Sequence, residues 1–247
     1  MVTVPYLSRI YLNPARRRAR KLLTDPQTMH AAVLAGLPTQ PVEDRVLWRL
    51  DAPSPLRPAL FVLTRTPPSW EHLVEQAGWP SADDPADPQV VVRDYQPLLD
   101  RLSVGDEYAF RLTANPVQSS KRPQVLTPAQ KAHSDGVALS RSVRLGHRTV
   151  STQLGWLTSR ARRWGFEIPV ASSSDAVGEP VPDLALTARA RTSFSRRNTP
   201  GRVVMQVVTY EGRLRVAEPQ LLRQAMVNGL GPAKAYGCGL MTLAALR

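Results

Sequence analysis

The order in which helical and extended segments alternate restricts the possible folds of this chain more than any other feature. In the N-terminal part, apolar periodicity and turn residues predict a strand, a helix, two strands, a second helix and a final strand. The predicted segments are Tyr6–Leu12, the helix that begins at Pro26, Arg45–Leu50, Ala59–Arg65, the helix from Ser69 to Gly78, and Gln89–Tyr95. This β-α-β-β-α-β order is the split unit of ferredoxin-like folds.

The second half of the chain repeats this order less regularly. Its predicted elements are strand Glu107–Ala114, helix Ser151–Phe166, strand Leu184–Phe194, two strands within Arg202–Glu218 that meet at a Glu211–Gly212 turn, helix Glu218–Gly229 and strand Gly239–Leu246. The repeated order is stronger evidence for this fold than a single copy would be, so we predict an α+β protein with tandem ferredoxin-like (βαββαβ) domains. The predicted domains are residues 1–97 and residues 98–247.

The charge of the chain predicts a polyanionic partner. Lys and Arg number 32 against 20 Asp and Glu, which gives a formal net charge of +12. A GC-rich genome would explain why arginine outnumbers lysine, but it would not explain the excess of base over acid. Nucleic acid is therefore favoured over an anionic membrane surface. No apolar run is long enough for a transmembrane helix and no signal-peptide pattern is present, so we expect no membrane partner. The single cysteine, Cys238, fits a reducing cytoplasm.

The histidines and acidic residues do not predict a metal site. None of the four histidines pairs with another, or with Cys238, at metal-ligand spacing. Neither a Gly-x-Ser-x-Gly nucleophile elbow nor a Walker A loop is present. If the protein is an enzyme, we expect it to work without a metal or a cofactor.

Several segments of the second half could bind phosphate. Glycines let a backbone approach a phosphate closely, and a neighbouring cation adds attraction. A plain connecting turn and a solvated basic face are the alternatives for these segments. The candidate nucleic-acid contacts are Lys121, Arg122, Arg144, Arg148, Arg160, Arg163, Gly229, Gly231, Lys234 and Gly237.

His30 is the candidate catalytic residue, on a helix that otherwise has the pattern of ordinary packing. Asp25 is a suitable N-cap and Pro26 suits the first helical position. An apolar stripe recurs at helical spacing and consists of Met29, Ala32, Val33 and Leu37. His30 lies beside this stripe and not on it. Taken alone, this position also fits a half-buried histidine at the edge of a packed face.

Motifs along almost the whole chain resemble one family, the CasE (Cse3) type CRISPR-associated endoribonucleases of type I-E systems. The matching segments, in order, are YLSRIYLNPARRRARKLLTDPQTMH, LWRL, FRLTANP followed by Lys121-Arg122, and EGRLRVAEPQLLRQAMVNGLGPAKAYGCGLM. The last of these segments is the most specific.

The resemblance implies an RNA-processing function. Members of this family bind the stem-loop of CRISPR repeat RNA, cut at the 3′ base of the stem and hold the mature crRNA within the Cascade complex. His30 falls on the family's active-site histidine, whereas Gln27 stands where the family often has tyrosine. In metal-free cleavage the nucleophile is the RNA's own 2′-hydroxyl, and the protein aligns it, moves protons and stabilises charge. Two alternatives remain open: a non-catalytic RNA-binding protein of the same fold, and an unrelated basic scaffold protein.

Overall fold

A four-stranded antiparallel sheet forms the first half of the protein. The computed structural model of the chain describes residues 4–39, 41–80, 86–120, 143–171, 181–195 and 202–246. The strands of the first sheet are β1 (Tyr6–Tyr11), β2 (Leu47–Asp51), β3 (Ala59–Thr64) and β4 (Val90–Asp94). Their spatial order is β2-β3-β1-β4, and every neighbouring pair is antiparallel. This is the predicted ferredoxin-like order.

Three helices cover one face of the first sheet. They are α1 (Arg17–Thr24), α2 (Pro26–Leu34) and α3 (Glu71–Ala77). Alternate strand residues such as Ile10, Leu60 and Val62 point to this face and are almost fully buried. Asp25 caps α2 by accepting a hydrogen bond from the backbone N–H of Gln27, as the sequence predicts. Helix α1 was not among the predicted elements.

The second half has the same topology with two additions. Its strands are β5 (Glu107–Ala114), β6 (Val117–Ser120), β7 (Val143–Gly146), β8 (Phe166–Glu167), β9 (Leu184–Ser195), β10 (Arg202–Val216) and β11 (Met241–Ala244). The main sheet has the order β11-β5-β10, and both β8 and β9 pair with β10 along its other edge. Strands β6 and β7 form a separate two-stranded sheet. The predicted tandem ferredoxin-like fold is confirmed.

The helices of the second half complete the unit. Helix α4 (Gln96–Arg101) connects the two halves, α5 (Val150–Ala161) continues into a 3₁₀ turn at Arg162–Trp164, and α6 (Pro219–Asn228) precedes a second 3₁₀ turn at Lys234–Tyr236. The predicted boundary between residues 97 and 98 lies within α4 and stays a prediction.

The predicted turn at Glu211–Gly212 is wrong. Strand β10 runs through both residues without interruption, and they pair with Arg111 and Phe110 of β5. A Cβ atom on Gly212 would collide with the carbonyl oxygen of Asp183. The glycine therefore permits close approach of a neighbouring backbone within the sheet and does not mark a chain reversal.

The two units are joined by an apolar core and by a buried ionic network. Leu47 and Leu63 of the first sheet belong to the same buried cluster as Leu230 and Leu240 of the second unit. The buried side chain of Arg49 binds both carboxylate oxygens of Asp51 at 2.8 Å. The same guanidinium donates to three groups of the second unit: the carbonyls of Arg111 and Leu240 and the hydroxyl of Thr242.

Candidate active site

Helix α2 places His30 at the edge of a packed face. Met29 and Val33 are fully buried against the first sheet, while His30 is only half-buried. Burial lowers the pKa of the imidazole below its ordinary value of 6.5. Its Nδ1 atom is buried and has no hydrogen-bond partner among the described residues. At neutral pH the ring is therefore uncharged and one nitrogen is free to accept a proton.

His30 lines a cleft that both units build. The cleft has a volume of about 460 Å³, which suits part of a nucleotide chain. The first unit and the loop before β2 contribute His30, Glu43, Asp44, Arg45, Val46 and Arg65, and the second unit contributes Asn228, Lys234 and Ala235. The structure thus brings together two predicted site residues, His30 and Lys234, that are far apart in sequence.

The backbone around Lys234 is shaped by residues in the left-handed region. Ala233 has φ of 64° and Gly237 has φ of 80°, and the 3₁₀ turn that carries Lys234 lies between them. Burial and the neighbouring Arg45 cation lower the pKa of Lys234 below its usual value. No carboxylate among the described residues forms an ion pair with Arg45, Arg65 or Lys234. Glu43 and Asp44 line the same cleft, but the three cations outnumber these two carboxylates, so the net positive charge favours an anionic ligand.

Arg65 and Asn228 meet across the boundary between the units. Arg65 directly follows β3, and Asn228 is the last residue of α6. The guanidinium Nη2 of Arg65 donates to the side-chain oxygen of Asn228 at 2.9 Å. The Nε atom of Arg65 is buried and has no partner among the described residues.

The glycines of the C-terminal segment have a packing role. A Cβ on Gly229 would lie 2.6 Å from Leu47 and 2.8 Å from the Lys234 side chain. At Gly237 and Gly231 it would collide with the indole rings of Trp48 and Trp156, respectively. These glycines let the segment that carries Lys234 lie against the first sheet and α5. A direct contact between the glycines and RNA stays a prediction.

The predicted arginines of the second unit lie around α5. Arg160 is half-buried: it donates to the carbonyl of Trp156 at 3.0 Å, and its guanidinium lies 5.1 Å from the centre of that indole. Arg163 is exposed and lies beside the ring of Trp164. Burial and the nearby Arg160 cation lower the pKa of His147. Trp156 also contacts Gly231, so a chain of contacts links this basic surface to the segment that carries Lys234.

The other predicted RNA contacts are not among the described residues that line the cleft. Arg148 is exposed, and its carbonyl accepts a hydrogen bond from Arg189 of β9. Arg144 lies in β7. Lys121 and Arg122 lie outside the described residues.

Sequence reasoning missed three residues of the cleft: Arg45, Arg65 and Asn228. Nothing in the sequence distinguishes these two arginines from the many others. The sequence places Arg65 at the end of a predicted strand and Asn228 in the last turn of a predicted helix. Their importance comes from the way in which the two units pack.

The described ranges contain neither a metal-binding cluster nor a membrane-spanning helix. Within them, no group of three or more His, Cys, Asp or Glu side chains is arranged to hold a metal ion. None of the helices in the same ranges is both long enough and apolar enough to cross a bilayer.

Known proteins share this fold and sequence over nearly the full chain. The "CRISPR-associated endoribonuclease Cse3" of Thermus thermophilus is 29% identical over 247 residues, which cover 97% of this chain and 99% of that protein. The "CRISPR system Cascade subunit CasE" of Escherichia coli is 28% identical over 204 residues, covering 81% of this chain and 89% of that protein.

A solved structure and a family model agree with these relatives. Thermus thermophilus Cse3 bound to an RNA that represents a pre-cleavage complex is 27% identical, with a TM-score of 0.71 and coverage of 98% of this chain and 99% of that one. These similarities confirm the resemblance to CasE (Cse3) type proteins. The model of the family described as "CRISPR associated protein" matches residues 5–245. The chain therefore belongs to this family of CRISPR-associated proteins.

Proposed function

We propose that this protein is a metal-independent endoribonuclease that processes CRISPR repeat RNA. It binds the stem-loop of the repeat, cuts at the 3′ base of the stem and retains the mature crRNA together with other Cascade subunits. The observation that carries the proposal is the cleft in which His30 and Lys234, from different units, lie together. Relatives over nearly the whole chain are named as a CRISPR endoribonuclease and a Cascade subunit, which supports the same function.

His30 acts as the general base in this reaction. Because burial lowers its pKa, the imidazole is neutral at pH 7 and accepts the proton of the substrate's 2′-hydroxyl. The 2′-oxygen then attacks the adjacent phosphorus, the bond to the 5′-oxygen of the next nucleotide breaks, and that oxygen takes up a proton from solvent. His30 afterwards returns the proton that it accepted to solvent. The products are a 2′,3′-cyclic phosphate and a 5′-hydroxyl.

Lys234 and the cleft arginines stabilise the charge that develops on the phosphate. In the attack step, negative charge grows on the non-bridging oxygens, and fixed cations in a partly dehydrated cleft lower its energy. The Cε atom of Lys234 packs beside Gly229, and Gly229 itself lies against Leu47 of the first unit. This arrangement supplies electrostatic stabilisation without a metal ion.

The main test is the cleavage of a repeat hairpin RNA by the purified protein in the presence of EDTA. We expect undiminished cleavage and a product that ends in a 2′,3′-cyclic phosphate. A matched RNA with a 2′-deoxynucleotide at the cleavage position should bind equally well and remain uncut. Loss of cleavage in EDTA that returns with added Mg²⁺ would contradict the metal-independent mechanism.

Gln27 favours the second candidate function, a non-catalytic RNA-binding protein of the same fold. Gln27 lies one helical turn before His30, where related enzymes often have tyrosine, and an amide cannot donate a proton as a phenol does. Tight and selective hairpin binding without any cleavage would support this alternative. Equal affinity for the hairpin and for scrambled RNA would instead indicate a general basic scaffold.

A further inference from the structure

Arg65 is placed to bind an anion in the cleft that holds His30. A guanidinium has five N–H donors in a planar fork. Only one strong side-chain contact is made by Arg65 within the described residues, the bond from Nη2 to Asn228. Its Nε donor is shielded from solvent without a partner there. The second N–H of Nη2 and the two N–H groups of Nη1 remain for the non-bridging oxygens of a phosphate, which arginine binds in a bidentate manner.

The bond between Arg65 and Asn228 is not needed to hold the two units together. It is solvent-exposed, and an exposed hydrogen bond contributes little net stability. The units are joined instead by the apolar cluster that includes Leu47 and Leu240 and by the buried Arg49 network. The main effect of this bond is to orient the guanidinium, because a long arginine side chain loses much rotamer freedom when one Nη atom is fixed.

We propose that Arg65 binds the scissile phosphate and that Asn228, from the other unit, is the positioning residue that orients Arg65. The first unit then supplies the general base and the guanidinium, while the second supplies Lys234 and the amide that aims the guanidinium. Correct docking of the two units is therefore a condition for catalysis. This inference rests on the proposed endoribonuclease function and extends it to two residues of the same cleft.

A double-mutant cycle on the single-turnover cleavage rate tests the coupling. We expect Arg65→Ala to slow cleavage of saturating hairpin RNA by about a hundredfold, as for loss of a transition-state donor. Asn228→Ala should slow it by roughly tenfold, since misplaced groups lose part of their effect. Because Asn228 acts through Arg65, the double variant should be no slower than Arg65→Ala alone. The matched control is Gln224→Ala, an exposed residue one turn earlier on α6, which should cleave at the wild-type rate.

A binding measurement tests the same pair without relying on catalysis. The probes are two stem-loop RNAs that end at the 3′ base of the stem, one with a 3′-phosphate and one with a 3′-hydroxyl. The wild-type protein should bind the phosphate-ended RNA about tenfold more tightly, which is the usual strength of a charge-assisted hydrogen bond. Arg65→Ala should abolish this preference, and Asn228→Ala should reduce it, while Gln224→Ala should keep it.

The outcomes separate this inference from the function on which it rests. If wild-type protein does not cut RNA, the proposed function fails, and the phosphate preference still decides the role of Arg65. Wild-type cleavage and an unchanged phosphate preference in Arg65→Ala would overturn the inference. Additive effects of the two substitutions would overturn the positioning role of Asn228. Thermal unfolding of each variant, expected to match the wild type, identifies any effect that comes from a damaged fold.

Discussion

His30 shows how packing can hold a side chain in place and still leave it open to a cleft. The residues on either side of it, Met29 and Ala31, differ sharply: Met29 is fully buried and Ala31 is exposed. His30 lies between these two environments, close enough to the core to lose hydration and far enough from it to reach the cleft. The cost of this position is a buried Nδ1 atom without a partner among the described residues.

Substitution of His30 should separate catalysis from binding. We expect His30→Ala to lower the single-turnover cleavage rate by about a hundredfold or more, in line with the loss of a general base. Hairpin affinity should change little, because many backbone contacts supply most of the binding energy. Gel-shift titration and cleavage of the same labelled RNA measure both. A joint loss of binding and cleavage would indicate a structural histidine, and full cleavage by the variant would remove His30 from the mechanism.

The pH dependence of cleavage should report the lowered pKa of His30. As the pH falls through that pKa, the imidazole takes up a proton and can no longer act as a base, so the rate should fall on the acid side with a midpoint below 6.5. The unfolded chain binds this proton more readily, so acid also lowers stability in the same direction. Circular dichroism at each pH separates the two effects. A rate that rises as the pH falls would instead assign His30 the role of general acid.

At the scale of elements, α5 with its 3₁₀ turn and strand β9 carry a group of arginines that includes Arg160, Arg163 and Arg189. The guanidinium of Arg160 contacts its own helix, through the carbonyl and the ring of Trp156, whereas Arg163 is exposed. The predicted helix extended to Phe166, whereas α5 ends at Ala161 and the following 3₁₀ turn ends at Gly165, which has φ of 84°. Because this turn continues α5, both arginines are held at a defined end of the helix.

The salt dependence of RNA binding should identify this group of arginines as an interface. Each phosphate neutralised contributes a log–log slope of about −0.7 to −0.9 through counterion release. Replacement of Arg160 and Arg163 together by alanine should therefore flatten the slope by roughly one to two units. Fluorescence anisotropy of a labelled hairpin across a salt series provides the measurement. The charge-matched control is Arg93→Ala with Arg101→Ala, on exposed positions of β4 and α4. A larger change in that control would indicate that the RNA contacts those arginines instead.

At the scale of the whole molecule, the buried Arg49 network fixes how the two units dock. Arg49 is 1% exposed and Asp51 is 8% exposed. Arg111 of the second unit completes the network by pairing with both Asp51 and Glu211. Buried polar groups of this kind favour one arrangement of the two units, because any other docking would leave them without hydrogen-bond partners.

Loss of Arg49 should destabilise the protein strongly. Arg49→Met removes every one of its hydrogen bonds and leaves the Asp51 carboxylate with less compensation, so we expect the free energy of unfolding to fall by about 3–5 kcal/mol. Urea denaturation followed by circular dichroism measures this change. The control is Arg93→Met at an exposed position of β4, where a surface substitution should cost no more than about 0.5 kcal/mol. Equal effects of the two substitutions would show that the network does not stabilise the docking of the units.

Local sequence patterns predicted much of the fold. β-rich apolar runs identified β1 and β3, alternation identified β5, and the cap and proline at the start of α2 located that helix, because these signals depend on neighbouring residues. The Glu211–Gly212 turn failed because glycine marks both reversals and close backbone contacts, and only the sheet shows that Asp183 lies against Gly212. Helix α1 was missed because its run of basic residues shows only a narrow apolar face, Ala19 and Leu22.

The sequence by itself determined the repeated βαββαβ order, the basic character and the candidate role of His30, since each follows from local periodicity, composition or motif. Only the tertiary structure decided that His30 and Lys234 line the same cleft, and that Arg65 and Asn228 meet in its lining. These contacts join residues from two separately folded sheets. Their geometry depends on the long-range packing of Leu47 and Arg49 against the second unit. A local sequence pattern depends only on neighbouring residues, so it does not predict a contact with a residue far along the chain.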